Sequence, residues 1–544
     1  MVDQLRDHNL GRSDDSSKCI LAVTTGGFTH AAPVLELCKV LAERGHVVEF
    51  ATNAGQEDWA KCCPLIKTVH SFGPGPSDEE TEAHYRRMLS WSPADGLSSI
   101  MKSKYLWDSY WTDTYLHLKD IASNPVTRPD FIIADFFADA AVKDMMVEFG
   151  IPIAIVWPQM PYLMAPVSYI PGQPGFQIDM SLTSEHASIA SRIGNEMVLF
   201  WALPSLLKWL KWTKAMRMKA GVTHKTPSDP KPDYLVLVNS FFGLEVPKDL
   251  PPSIVPCGPI LADSYMGLDE NHAKFLAQHK RVLYVALGTH IILEGTDVAK
   301  ILEGIIQALD GDHIDGVIWA VGQSPRKEFP CTQSFRRTGQ RVHTLGEMLD
   351  QADPDLMFPL FAPQRAVLEH QNTVLFLTHG GSSSANEALY HGVPVLTLGF
   401  FFDQLSNSAR LRSAGVGLSL DKSHYASSEI CDRIALIVGD RDGQFAQDVK
   451  RVKGIARIAL KRKHLAADLI EQSMIDEEFR FLDGKEIHPR HLQTADMRMS
   501  TWRAKNWDLR LVTLGTTLFV AASVSYVGQI VYTALRVHIR AVRK

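Results

Sequence analysis

Within residues 361–404, an apolar strand candidate (374–378) runs into His379-Gly380-Gly381, and the serines Ser382 to Ser384 then open a helical pattern. These residue types in this order suit anion binding. A helix N-terminus offers unpaired N–H groups and the positive end of the helix dipole, so it takes a phosphate readily. Gly380 and Gly381 let a ligand approach the backbone closely, Ser383 and Ser384 add hydroxyl donors, and His379 adds a ring N–H. A purely local reading is also open. Ser384-Ala385-Asn386-Glu387 has the S-x-x-E form of a capping box, which would turn the same side chains onto the helix end.

Such a loop needs a strand behind it and a helix after it, and the chain supplies that rhythm in two blocks. In the first, residues 19–25 (CILAVTT) read as a buried strand and Gly26 to His30 as a tight loop. Val34, Leu37, Cys38 and Leu41 then set a helical stripe, and residues 46–52 (HVVEFAT) a second strand. Strand, helix, strand at this spacing implies a parallel sheet. The rhythm returns at 131–136 (FIIADF), a helix to 149 and a strand at 151–157. The second block starts at 281–288 (RVLYVALG) and continues through a helix at 298–309 and strand candidates at 316–321, 374–378 and 395–398.

Between the blocks, residues 246–259 (VPKDLPPSIVPCGP) hold five prolines in 14 residues. Proline removes donors and fixes φ, so this stretch reads as a linker rather than a strand. The expected fold class is α/β: two Rossmann-like, doubly wound domains facing across a cleft, with ligands beyond the carboxyl ends of the strands. The expected organisation is a polar tail 1–18, a first domain 19–245, the linker 246–259 and a second domain 260–480 with a returning C-terminal helix. A juxtamembrane segment 481–510, a transmembrane helix 511–535 and a basic tail 536–544 complete it.

Composition narrows the function. The 544 residues are 45% hydrophobic and 22% charged, ordinary for a globular chain. With 56 basic against 61 acidic residues there is no cationic excess for phosphate backbones, which speaks against a nucleic-acid binder. Seven scattered cysteines without a CxxC pair argue against a disulfide framework or a structural zinc site. The N-terminal residues lack an apolar signal core and no Asn lies in an N-x-S/T frame, so the catalytic body is expected in a reducing, cytosolic compartment.

Residues 511–535 form a run of 25 without a charge, 16 of them apolar. As a helix it spans ~37 Å, enough to cross a bilayer core. Arg503, Lys505 and Arg510 precede it, and Arg536, Arg540, Arg543 and Lys544 follow. A membrane anchor fits these flanks better than a buried terminal helix. In residues 197–218, Leu206, Trp209, Leu210, Trp212 and Met216 share one helical face and Lys208, Lys211 and Lys214 the opposite one. A surface helix, a lid over an apolar pocket and a patch lying on a membrane all fit that pattern.

Taken together, residues 361–404 resemble the nucleotide-sugar signature box of the UDP-glycosyltransferases, the large inverting family that includes plant small-molecule glucosyltransferases. That box ends in Asp-Gln or Asp-His. Here it runs 44 residues from Phe361 to Gln404, with Gln364, His379, Ser384, Glu387, Asp403 and Gln404 in the matching places. GGFTHAAPVLELCKVLAERGHVVEFAT is similar to the family's opening loop, helix and second strand, with His30 on the position of its catalytic base. IADFF puts Asp135 where the family has its His-orienting carboxylate, with Asp139 one helical turn on as the rival partner. NSFFGLEVPKDLPPSIVPCGPI resembles the interdomain passage, and VLYVALGT, ending at Thr289, the first strand and loop of the donor domain.

The resemblance implies a GT-B fold and a single inverting displacement, giving a β-glycoside from an α-linked UDP-sugar without a metal. No DxD-type carboxylate pair sits at the phosphate loop. It implies His30 as general base, since a neutral histidine can take the acceptor's proton, and Asp135 as the group that fixes its tautomer. Phe361, where most members have Trp, would stack on uracil. Gln364 and Glu387 would bind ribose, and His379, Ser383 and Ser384 the diphosphate, with Thr289 and Gly381 also among the donor-binding residues. Asp403 and Gln404 would read the sugar, and a final Gln implies glucose.

The implied acceptor is a lipophilic small molecule: a secondary metabolite, a sterol or terpenoid, or a phenol. The C-terminal apolar run and the missing signal core set the expected location, an endoplasmic-reticulum membrane with the body facing the cytosol. Two departures stand out. Ser382-Ser383 replace the plant members' usual Trp-Asn, and the bulky His290 follows Thr289. A non-catalytic nucleotide-sugar-binding protein of the same fold is the alternative. A nicotinamide oxidoreductase would need G-x-G-x-x-G after the first strand, and that fingerprint is missing.

Overall fold

The computed structural model describes residues 17–92, 95–160, 188–224, 232–247, 250–339, 341–350, 352–401, 403–482, 485–486 and 491–543. Residues 1–16 of the expected polar tail, and Lys248 and Asp249 of the proline-rich stretch, lie outside these.

Seven parallel strands form the first sheet: β1 (Cys19–Val23), β2 (Val47–Thr52), β3 (Ile66–Ser71), β4 (Phe131–Asp135), β5 (Ile153–Trp157), β6 (Leu235–Val238) and β7 (Ile254–Pro256), in the order β3-β2-β1-β4-β5-β6-β7. Six parallel strands form the second: β8 (Val282–Ala286), β9 (Gly316–Trp319), β10 (Leu356–Met357), β11 (Thr373–Thr378), β12 (Val395–Leu398) and β13 (Gly417–Leu420), in the order β10-β9-β8-β11-β12-β13. The central strands are apolar and buried along their length, as a parallel sheet covered on both faces requires.

Each sheet reverses its winding beside its first strand, at β1/β4 and at β8/β11. The pairs Val23↔Ala134 and Ala286↔Thr378 bring the carboxyl ends level there. An open α/β sheet offers its ligand crevice at such a switch point. The chain that leaves these four strand ends carries His30, Asp135, Thr289 and His379.

Two local expectations change. His30, expected in a loop, lies in the first turn of α1 (Phe28–Glu43). Gly26, at φ +83, makes the turn after β1, Gly27 is the N-cap, and the His30 N–H already donates to the Gly27 carbonyl at 2.9 Å. The proline-rich stretch, expected as linker without a strand, contains β7. Pro256 is tolerated there because β7 is an edge strand, paired on the β6 side alone.

The helices that matter for the site are α2 (Asp78–Leu89), α3 (Gly96–Asp108), α4 (Asp139–Phe149), α5 (Ile189–Lys219), α6 (Gln364–Glu369), α7 (Ser382–His391), α8 (Asp403–Ser413) and α9 (Arg462–Glu478). Buried polar contacts tie the two sheet systems together. Arg410 on α8 pairs with Glu245 at 2.5 Å, and Asn386 Nδ2 on α7 donates to the Asn239 carbonyl at 2.9 Å. α9 returns to the first sheet system, where Lys463 meets Glu36 of α1 at 2.6 Å and Arg44 meets Asp468 and Glu471 at 2.7 and 2.8 Å. Replacing one partner of a buried ion pair such as Glu245–Arg410 is expected to cost about 3–5 kcal/mol.

Residues 480–544 form a separate compact unit. Its helix α10 (Trp507–Val542) has 36 residues, none of them buried. It contains the expected span 511–535 and is the one described helix long and apolar enough to cross a membrane.

Candidate active site

One cavity of about 1190 Å³ opens at the two switch points. Eleven of the twelve expected site residues line it: His30, Thr289, Phe361, Gln364, His379, Gly381, Ser383, Ser384, Glu387, Asp403 and Gln404. Asp135 is not among its lining residues.

On the second-sheet side, α7 starts after Gly381 as N-cap, and no side chain caps its first turn. The capping-box reading is not realised. Ser384 lies inside the helix, and the Glu387 carboxylate accepts instead from Gln364 Nε2 at 2.7 Å. Gln364, heading α6, also donates to Ser384 Oγ and accepts from the Tyr284 hydroxyl, both at 3.4 Å. Gln364 and Glu387 therefore stand preassembled, while burial raises the Glu387 carboxyl above its usual range.

Asp403 heads α8. Its Oδ2 accepts from Asn407 Nδ2 at 3.2 Å and Ser382 Oγ at 3.3 Å, and burial raises it too. Gln404 Oε1 accepts the Phe400 and Phe401 N–H groups at 3.0 and 3.4 Å, which leaves its amide donors for a ligand. Phe361 is 66% exposed, with its ring free to stack.

His379 follows β11 and needs glycine on both sides. A Cβ on Gly381 would come 2.4 Å from its Nε2, and one on Gly288, at φ +82, would come 2.9 Å from its ring. Burial, then the neighbouring His290, push His379 down to about 4, so the ring is neutral with one donor and one acceptor nitrogen.

On the first-sheet side, the His30 ring lies against Phe136 and Phe137, with centroids 5.3 and 4.7 Å away. Trp107 of α3 stacks on Phe137 at 4.7 Å and Trp157 on Phe136 at 4.9 Å, so His30 ends a continuous aromatic wall. Burial and then His290 push His30 down to about 4, leaving it neutral at physiological pH. α5 closes this side with Leu206, Trp209 and Met216, while Lys208, Lys211 and Lys214 are exposed. Trp209 Nε1 donates to Asp108 at 2.8 Å.

Neither carboxylate considered as the partner of His30 bonds to its ring. Asp135 is buried, and its oxygens accept the backbone N–H groups of Thr25 at 2.7 Å and Phe137 at 2.6 Å. It clamps the loop after β1 to the loop after β4 and so fixes what carries His30 and Phe137. Burial outweighs these backbone bonds and lifts it to about 7. Asp139 is engaged by Lys143 at 2.6 Å and Lys104 at 3.4 Å. Burial alone would raise it, but the two ammonium groups hold it at about 2.

The residue pattern left two parts of this cavity unmarked. The aromatic wall had a signal, because Phe136 and Phe137 directly follow Asp135. Tyr85, which also lines the cavity, had none: DEETEAHYRRML reads as a polar surface helix.

Residues 158–452 match the family model described as UDP-glucoronosyl and UDP-glucosyl transferase. UDP-glycosyltransferase FPY2 of Fusarium mangiferae is 40% identical over 525 residues, 91% of this chain and 95% of that protein. UDP-glycosyltransferase stmC of Aspergillus ustus is 42% identical over 520 residues, 94% and 96% of the two chains. The chain belongs to the UDP-glycosyltransferase family.

It is therefore a glycosyltransferase that uses a UDP-sugar donor and a small-molecule acceptor. The fold is GT-B. A solved UDP-glucose: anthocyanidin 3-O-glucosyltransferase in complex with UDP superposes with a TM-score of 0.57 at 16% identity, covering 83% of this chain and 99% of that one. Among the described residues of this UDP-glycosyltransferase, no group of three or more His, Cys, Asp or Glu side chains is placed to hold a metal ion.

Proposed function

We propose that the enzyme moves glucose from UDP-glucose to a hydroxyl of a flat, lipophilic acceptor with inversion, and that His30 is the general base. The observation that carries this reading is the meeting, in one cavity, of a neutral histidine from the first sheet and an uncapped helix N-terminus from the second. Acceptor hydroxyls are poor nucleophiles until a base takes their proton. A diphosphate leaving group needs donors and positive dipole ends, which the first turn of α7, Ser383, Ser384, Thr289 and His379 supply.

The exposed ring of Phe361 stacks on the uracil, and the Gln364–Glu387 pair takes the ribose hydroxyls. Asp403 offers acceptors and Gln404 donors to the sugar. The aromatic wall from Trp107 through Phe137 and Phe136 to Trp157 suits a planar acceptor beside His30. Asp135 acts as a positioning residue through the backbone of both loops.

Gln404 at the end of the box supports glucose. Initial rates with UDP-glucose, UDP-galactose, UDP-xylose and UDP-glucuronate, against a panel of phenols and lipophilic alcohols read by mass spectrometry, test the donor. UDP-glucose is expected to be fastest, and a clear preference for another donor overturns the assignment.

α10 is the membrane anchor in this reading, with the body on the cytosolic face of the endoplasmic reticulum. All seven cysteines are unpaired, which suits a reducing compartment. Protease added to intact microsomes is expected to digest the body. Protection until detergent is added would invert the topology.

A further inference from the structure

α2 follows β3 of the first sheet in sequence, yet it is built into the second sheet system. Met88 and Trp91 are 1% and 3% exposed and belong to the core formed by Leu283, Val285 and Leu398. Lys422 Nζ donates to the carbonyls of Leu89 at 2.9 Å, Trp91, and Phe400 at 2.5 Å, and Arg86 pairs with Glu328 at 2.8 Å. These contacts form a clasp from one half to the other.

The clasp holds Tyr85 in the cavity between two rings of the donor half. Tyr85 stacks on His290 with centroids 4.4 Å apart and planes 15° off parallel, and on Phe401 at 5.7 Å and 27°. Phe401 belongs to the turn whose N–H groups fix Gln404. Burial, and then the nearby Asp403 carboxylate, raise the Tyr85 phenol to about 12, so it stays a hydrogen-bond donor at all working pH values. The hydroxyl has no hydrogen-bond partner among the described residues. Packing alone would be served by phenylalanine. The hydroxyl lines the open cavity near a carboxylate, where a ligand hydroxyl can take its hydrogen bond in place of water.

We propose that Tyr85, its ring stacked against His290 and Phe401, is a donor-specificity residue whose hydroxyl bonds a hydroxyl of the transferred sugar beside Asp403. The sugar pocket is thus completed by the acceptor half and exists only when the α2 clasp is docked. This rests on the assignment of Asp403 and Gln404 to the sugar.

The test uses the full-length enzyme in detergent. Tyr85→Phe keeps the ring stack and removes the hydroxyl. The expected result is a fall of about five- to tenfold in kcat/KM for UDP-glucose, the worth of one hydrogen bond. The Kd for UDP, which has no sugar, stays at the wild-type value, and discrimination between UDP-glucose and UDP-xylose or UDP-galactose weakens. Unchanged kcat/KM and donor preference in Tyr85→Phe overturns the proposal, as does an equal loss of UDP affinity. Asp403→Asn separates the two readings. If it shifts donor preference while Tyr85→Phe does not, Tyr85 alone is misassigned; if neither does, the sugar assignment falls as well.

Discussion

His30→Ala is expected to lower transfer by about 10²–10⁴-fold, the usual cost of losing a general base, while the affinity for UDP-sugar stays at the wild-type value. The two effects separate because His30 comes from the first sheet and its ring contacts Phe136 and Phe137, whereas the expected donor contacts come from the second.

The pH dependence follows from two shifts of opposite sign. His30 is lowered to about 4, so it is deprotonated, and able to accept a proton, everywhere above that value. Asp135 is raised to about 7, so it is neutral below and ionised above. Protonation turns one of its oxygens from acceptor into donor and weakens its hold on the Thr25 or Phe137 N–H. Wild-type kcat/KM is therefore expected to fall as pH drops through about 7. In Asp135→Asn that limb is expected to flatten at a lower plateau, since nothing titrates there. Near-normal turnover of His30→Ala on a neutral alcohol removes His30 from the role. An acid limb that survives in Asp135→Asn removes Asp135 from control of it.

The residues proposed to carry this chemistry were legible wherever they follow one another at short range. The βαβ rhythm marked both sheets, because buried parallel strands are continuous apolar runs. The positions from Phe361 to Gln404 marked one wall of the cavity, since a strand, a glycine turn and a helix start follow one another there at short range. What stayed hidden depends on partners distant in sequence or on backbone groups.

Asp135 shows this most clearly. A carboxylate at a strand end looks available to a nearby imidazole, but two backbone N–H groups at 2.6 and 2.7 Å take it first. Asp139 resembles a spare partner until Lys104, on a different helix, reaches it. α2 is polar enough to read as a surface helix, and Met88, Trp91 and Tyr85 acquire their roles only when that segment crosses to the other half. The S-x-x-E pattern at Ser384 misleads for a related reason. Glu387 has a better partner in Gln364, and Gly381 starts the helix three residues earlier.

The second large effect concerns stereochemistry. In the proposed arrangement His30 and the diphosphate donors come from opposite sheets, so the activated hydroxyl is expected to attack the anomeric carbon from the side away from the leaving UDP. Such a displacement forms the new glycosidic bond as the bond to the diphosphate breaks, with the acceptor proton passing to His30 Nδ1 or Nε2. Every turnover is then expected to invert the anomeric carbon and release one UDP. The direct measurement is proton NMR of the glycoside made by the purified enzyme from α-linked UDP-glucose and a phenolic acceptor, with UDP release followed in the same sample. The expected product is the β-anomer alone, with one UDP released per glycoside. An α-linked product, or UDP-glucose bound without any glycoside formed, would contradict a base and a leaving-group cradle facing each other across this cleft.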